Sequence, residues 1–197
     1  MSMLLGTWRG LLDRRDFWFY PSDVPLGEAA ALLRFYNATG GPAWTADVGW
    51  GTDPVVNNWQ GVTVVGGHVT QLVLNANNLI GSGDNELAPL AATLTNLALQ
   101  TNGGLITANI NSLTAIATCT VQDMGWAQAI VDAFLLGMYT NRAAYTDATP
   151  ALNIGGTNAA PGGVYAYAAV PSTGNEYRYA LVNDDDAEGF NTWTITV

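Results

Sequence analysis

The segment "LVLNANNL" (residues 72–79) sets Leu72, Leu74, Asn77 and Leu79 in the pattern L-x-L-x-x-N-x-L. Residues two apart on an extended chain share a face, so Leu72 and Leu74 point to one side. Asn77 can turn the chain while its amide serves backbone groups that the turn leaves unpaired, and Leu79 then returns to the core. The pattern recurs 25 residues later at Leu97, Leu99 and Asn102, with Leu105 one residue beyond the position that corresponds to Leu79. A unit of this size buries its apolar edge only when a neighbour stacks on it, which constrains the chain to a repetitive fold.

Weaker copies follow. "LTAIATCTVQDMG" (113–125) is expected to put Ile116 and Thr118 in the leucine positions, with Val121 and Gln122 replacing the asparagine turn. "ALNIGGTNAAPGG" (151–163) offers a short strand at Leu152 and Ile154 and an asparagine, Asn158, after a glycine pair. "NTWTITV" (191–197) alternates Trp193, Ile195 and Val197 and predicts a final strand. Upstream, "NNWQGVTVVGGHVT" (57–70) alternates around a glycine pair, and read alone it is an ordinary hairpin. The recurrence of the ladder makes it the entry to a first rung instead.

Helical spacing appears in two places. In "LGEAAALLRFYNATGG" (26–41), Ala29, Leu32, Leu33 and Tyr36 fall at i, i+3, i+4 and i+7, and Asn37, Gly40 and Gly41 end the run. In "MGWAQAIVDAFLLGMY" (124–139), Ala127, Ile130, Val131 and Phe134 make the apolar face. "EYRYALVND" (176–184) reads as either a short helix or an extended segment. Trp44, Trp50 and Trp59 lie among turn residues and are expected to form a small capping core.

Residues 32–81 resemble the N-terminal cap and first repeat of bacterial and plant-type leucine-rich repeat proteins. The matching features come in one order: "YNATGG", a tryptophan, "WQGV", a glycine turn, "VTQLVL" and "NNLIG". Residues 129–197, with "GGTNAAP" and the closing "WTITV", are similar to the closing segment of repeat proteins common in phage and bacterial surface genes. The resemblance implies an α/β fold: a short leucine-rich-repeat-like solenoid with a small parallel sheet, a helical N-terminal cap and a capping C-terminal segment. The expected organisation is a docking arm at 1–25 and one domain at 26–197. That domain divides into an N-terminal cap (26–66), repeats (67–125) and a C-terminal cap (126–197). Val64 stands where secreted relatives carry a cysteine, which argues against a disulfide-stapled secreted role.

Six arginines, no lysine and sixteen acids give a formal charge of −10, a balance opposed to nucleic-acid binding and to lysine chemistry. The lone Cys119 excludes an internal disulfide, and no apolar run is long enough to span a bilayer. The N-terminal apolar run is broken by Gly6, Trp8 and Arg9, which makes a poor secretion signal. His68, the one histidine, precedes the first ladder strand without a nucleophile motif, and it reads as a turn residue. "NDDDAEG" (183–189) has carboxylates at 184–188 that could hold calcium, but it lacks the EF-hand spacing and reads as a solvated loop.

The expected function is therefore non-enzymatic, with no cofactor, metal or nucleic-acid partner. A phage virion component (capsid decoration, tail or fibre protein) assembled in the host cytoplasm is the first reading. Its arm side chains Trp8, Arg14, Arg15, Phe17, Trp18, Phe19 and Tyr20 would dock on other subunits, itself among them. The alternative is an extracellular or cell-surface recognition module or adhesin. It would bind a peptide or glycan on a host surface through Gln71, Val73, Asn75, Ala98 and Gln100, flanked by Ala115 and Ala117.

Overall fold

A computed structural model describes residues 21–83, 85–107, 110–147, 149–183 and 191–197. Among these it has three α-helices and a mostly parallel sheet, a mixed α/β architecture. Helix α1 (Leu26–Ala38) leads into β1 (Val62–Val65) and β2 (His68–Val73), an antiparallel hairpin. This corrects the expectation of a rung entry in place of a hairpin at 57–70: β2 is both the second arm of the hairpin and the first strand of the parallel run. Strands β3 (Ile80–Ser82), β4 (Asn96–Ala98), β5 (Gly104–Thr107) and β6 (Thr118–Thr120) follow. Helix α2 (Gln128–Thr140) separates β6 from β7 (Ala151–Asn153), and α3 (Gly174–Asn183) separates β7 from β8 (Thr194–Thr196). The main sheet runs β1-β2-β4-β6-β7-β8, with every pair after the hairpin parallel, and β3 pairs with β5 in a second, two-stranded sheet.

Helix α1 buries Ala29, Leu32, Leu33 and Phe35, with Tyr36 packed against the core from its half-buried position. It stops where Gly40 takes φ +75°, and the Thr39 hydroxyl donates back to Phe35 O at 2.7 Å. The three tryptophans after it form the expected cap. Ring centroids lie 5.0 Å apart for Trp44–Trp50 and 5.2 Å for Trp50–Trp59, and Tyr36 stacks on Trp50 at 5.6 Å. Each indole N–H donates to a backbone carbonyl: Trp44 to Thr39, Trp50 to Gln60 and Trp59 to Asp53. Buried aromatics hold position this way because an unpaired indole N–H would offset part of the gain from burial. Gly61, of the "WQGV" stretch, has φ +84°, and a Cβ there would lie 2.3 Å from Val73 O, so no other residue fits without displacing the hairpin.

Leu72, Leu97, Cys119, Leu152 and Ile195 stand in register across five strands, all buried. This corrects the expected third copy. Cys119 and Val121, rather than Ile116 and Thr118, occupy the positions of Leu97 and Leu99, and Met124 stands where the asparagine would be. Ile116 is buried one step earlier, in the place of Leu94, and Thr118 faces out. Sequence spacing favoured the wrong register because Cys119, a small apolar residue in the core, does not stand out as a leucine substitute. Residues 126–197 do more than close the end: they add β7 and β8 to the same sheet. "EYRYALVND" resolves as helix over Gly174–Asn183. Ala127 immediately precedes α2 and is exposed, so the apolar face is Val131, Phe134, Leu135 and Met138, with Ile130 half-buried against the core as expected. Val197, past the end of β8, is exposed as well.

The asparagines bind one turn to the next. Asn102 Oδ1 accepts from Asn77 N and Leu79 N (2.9 and 3.1 Å), while its amide donates to Leu74 O and Leu99 O (2.8 and 2.7 Å). Asn77 does the same towards Ala46, through both its N–H and its C=O. Asn158 repeats the pattern later, accepting from Met124 N and Trp126 N and donating to Val121 O and Ile154 O. Replacing buried Asn102 by alanine orphans four backbone groups, so Asn102→Ala is expected to lose roughly 3 kcal/mol or more in urea denaturation. Exposed Asn75→Ala should change stability by less than about 0.5 kcal/mol.

Candidate functional site

Three places bear on function: the outer face of the main sheet, the His68–Glu28 pair, and a cleft at the β8 end. The sheet face is built by strand alternation. Gln71, Asn96, Thr118, Ala151 and Thr194 form one register row, and Val73, Ala98, Thr120, Asn153 and Thr196 form the next. Apart from His68, no side chain in these strands is formally charged, although the chain carries −10. Thr118, Thr194 and Thr196 are exposed, Val73 is 38% exposed, and Gln71, Ala98 and Gln100 are half-buried. Gln71, Val73 and Ala98 thus share a face as expected, with Asn75 and Gln100 just beyond the strand ends. Ala115 and Ala117 do not belong to it. They precede β6, with amides donating to Ala91 O and Thr95 O, so the third rung presents Thr118 and Thr120 instead. The Asn153 amide donates to Gln122 Oε1, joining neighbouring turns at the rim of the face.

His68 opens β2 rather than lying in the turn, and its Nδ1 contacts Glu28 Oε1 at 2.6 Å. Glu28 is buried in the first turn of α1, and its other oxygen accepts from Val69 N at 2.8 Å. A carboxylate here makes Nδ1 the donor in the neutral ring and leaves Nε2 available to solvent, since the residue is exposed. Nothing in the sequence near His68 announces this partner, which lies 40 positions away. The geometry ties helix to sheet. Among the described residues no group of three or more His, Cys, Asp or Glu is placed to hold a metal.

Cys119 lies in the core, where burial pushes its thiol up to about 12. Tyr145 is buried beside it, edge-on to Trp193 at 4.9 Å, and its hydroxyl is also raised by burial. A thiol held protonated is a poor nucleophile. Cys119 should therefore be inert to a thiol-specific disulfide reagent at pH 8 in native buffer and react fully in about 6 M guanidinium chloride. Rapid native labelling would contradict the buried placement.

Sequence reasoning missed the third place. Between the end of α2, α3 and the loop 163–173 lies a shallow open cleft with a cavity volume of ≈ 20 Å³, lined by Tyr139, Tyr167, Ala168, Ala169, Pro171, Tyr179 and Ala180. Around it Val164, Tyr165, Tyr167 and Val170 are 74%, 43%, 57% and 83% exposed. Two of the chain's arginines already stack on tyrosines here: Arg142 on Tyr139 at 4.1 Å and Arg178 on Tyr165 at 4.8 Å. The alternation V-Y-A-Y-A-A-V was the available signal, though it belongs to neither a helix nor a strand. The loop is held by a box at the start of α3, where Glu176 Oε2 accepts from Ser172 N, Thr173 N and the Ser172 hydroxyl.

These bonds hold the Glu176 carboxyl below its ordinary 4.5. A depressed folded value means that the box is intact above the unfolded value and is lost as pH falls through the folded one. The protection of the Ser172 and Thr173 amides, measured as exchange relative to the intrinsic rate at each pH, should fall on acidification through that range, and Glu176→Gln should remove most of that change.

The arm residues Trp8, Arg14, Arg15, Phe17, Trp18, Phe19 and Tyr20, and the carboxylates at 184–188, lie outside the described residues. The described end of the expected arm is bonded to the domain. Ser22 N donates to Pro54 O, and the two Asp23 oxygens accept from Val56 N and Asn57 N. No described helix is long and apolar enough to cross a membrane. No family model, curated protein or solved structure matches the chain.

Proposed function

We propose that the chain is a short leucine-rich-repeat-type solenoid serving as a non-enzymatic assembly subunit. The reading is a phage virion component (capsid decoration, tail or fibre protein) that docks through its N-terminal arm. The observation that carries it is the anchored root of that arm. Asp23 and Ser22 tie the chain to residues 54–57, so the segment before Pro21 starts from a fixed point at the β1 end of the sheet. That segment concentrates Arg9, Arg14 and Arg15 with Phe17, Trp18, Phe19 and Tyr20, a composition favoured at interface centres. The supporting in-register strands and asparagine bonds are those a stacked repeat requires.

The test is a full-length chain with Phe17, Trp18 and Phe19 each replaced by serine, compared with the natural chain by light scattering, circular dichroism and mass spectrometry of purified particles. Loss of assembly and of particle incorporation with an unchanged spectrum supports the docking arm. Retained assembly sinks it, and an unfolded spectrum places those side chains in the domain core.

A second reading, recognition of a peptide or glycan on the sheet face, is favoured by the uncharged rows from Gln71 to Thr196. Under it, the double variant Gln71→Arg, Gln100→Arg abolishes ligand capture and leaves assembly untouched. Equal capture by variant and natural chain discards it.

A further inference from the structure

We infer that the tyrosine-walled cleft at the β8 end receives the N-terminal arm of a second copy of this chain, giving head-to-tail association. The inference rests on the docking-arm reading above and names where the arm goes. Its first support is placement. The root of the arm, Ser22–Asp23, is fixed to residues 54–57 beside β1. The cleft lies at the other end, because Trp193 N donates to Leu181 O and Arg178 reaches Ile195 O, which join α3 to β8. Five inter-strand steps separate β1 from β8, on the order of 24 Å.

The second support is charge. Residues 1–20 hold three of the six arginines against Asp13 and Asp16. The sixteen acids less these two leave fourteen on the rest of the chain, against three arginines. A slightly cationic arm is therefore drawn to a strongly acidic body. Two of the body's three arginines, Arg142 and Arg178, lie at the cleft, so charge favours bridging between copies and the aromatic surface selects the place.

The third support is the chemistry of the cleft. Its walls are tyrosine, alanine and proline with no formal charge, and Tyr167 presents an exposed ring. Such a surface, with exposed Val164 and Val170 beside it, suits aromatic side chains laid across it and guanidinium groups over the ring faces. Arg142 and Arg178 already use that second mode on neighbouring tyrosines. An arm filling its own cleft would have to track the whole width of the sheet and order most of its residues to do so. A copy stacked end to end brings the next cleft directly beside the root. Contacts of this kind are heterologous, so they close into rings or extend as fibres.

The experiment uses full-length chains, half of them labelled with heavy isotopes, carrying a photoreactive phenylalanine analogue in place of Phe17. Cross-links from position 17 to residues 165–180 of an oppositely labelled chain are expected. Cross-links confined to chains of the same label, or landing elsewhere, overturn the inference. In parallel, the variant Tyr167→Ala, Ala169→Arg, both positions exposed, should weaken self-association at least about tenfold by light scattering, with an unchanged circular dichroism spectrum. If that variant assembles normally while the Phe17, Trp18 and Phe19 serine variant does not, the arm docks elsewhere and only this inference fails. If the natural chain stays monomeric up to millimolar concentration, this inference fails, and docking of the arm on a different subunit stands or falls by particle incorporation. A refolding defect in the cleft variant is separated from a docking defect by the cross-linking arm, which needs no substitution in the cleft.

Discussion

The buried asparagine amide is the interaction on which the stack depends. Beyond each short strand the backbone must turn, and its amide and carbonyl groups leave the sheet ladder while still in the interior. Water cannot reach them there, so an unpaired group costs about 1–3 kcal/mol. Asn102 answers four such groups with one side chain: the N–H groups of Asn77 and Leu79 and the carbonyl of Leu74 in the neighbouring turn, and the carbonyl of Leu99 in its own. Neither aspartate, which lacks the donor, nor leucine, which lacks both functions, can replace it. The leucines supply the burial energy of the stack, but they are indifferent to register. The amide, with its directional bonds, sets the spacing between turns.

That division of labour explains which parts of the fold could be read from the sequence. Leu72, Leu74 and Asn77, and their copies from Leu97 to Asn102, were legible because one residue type recurs at one spacing. The third turn was misread because its core positions are Cys119, Val121 and Met124, none of which signals the pattern. No asparagine within the turn marks its register either. Asn158, 34 positions after Met124, supplies the bonds to that turn, and such a separation is invisible to local pattern reading. Asn158 itself was legible, whereas the turn it serves was not. The same holds for Glu28 and His68, which meet only because α1 lies against the start of β2.

The functional surfaces divide similarly. The sheet face followed from strand alternation once the register was known, so Gln71, Val73 and Ala98 were placed correctly and Ala115 and Ala117 were not. The tyrosine cleft was not legible at all, because Tyr139, Tyr167 and Tyr179 come from two helices and a loop that are brought together only by the packing of α2 on α3. A short loop of valine, tyrosine and alanine suggests buried structure when read locally. The fold leaves Val164 and Val170 mostly exposed instead.

The two ends of the sheet are built differently, and this difference is the strongest structural argument about function. At the β1 end the hairpin is covered: Asn57 Oδ1 accepts from Val64 N on the outer strand, four aromatic rings fill the cap, and the Glu28–His68 contact fastens the helix. At the β8 end the last strand is three residues long, and α3 reaches its outer edge through Arg178, at 3.4 Å from Ile195 O. Open sheet edges invite pairing, and proteins ordinarily blunt them with charge, bulges or covering elements. Here the blunting is slight among the described residues, and beside it lie exposed valines and tyrosines. The sheet therefore has one covered end and one end with an exposed edge, and under the proposed docking of the arm that asymmetry matches a head-to-tail contact rather than a symmetric one.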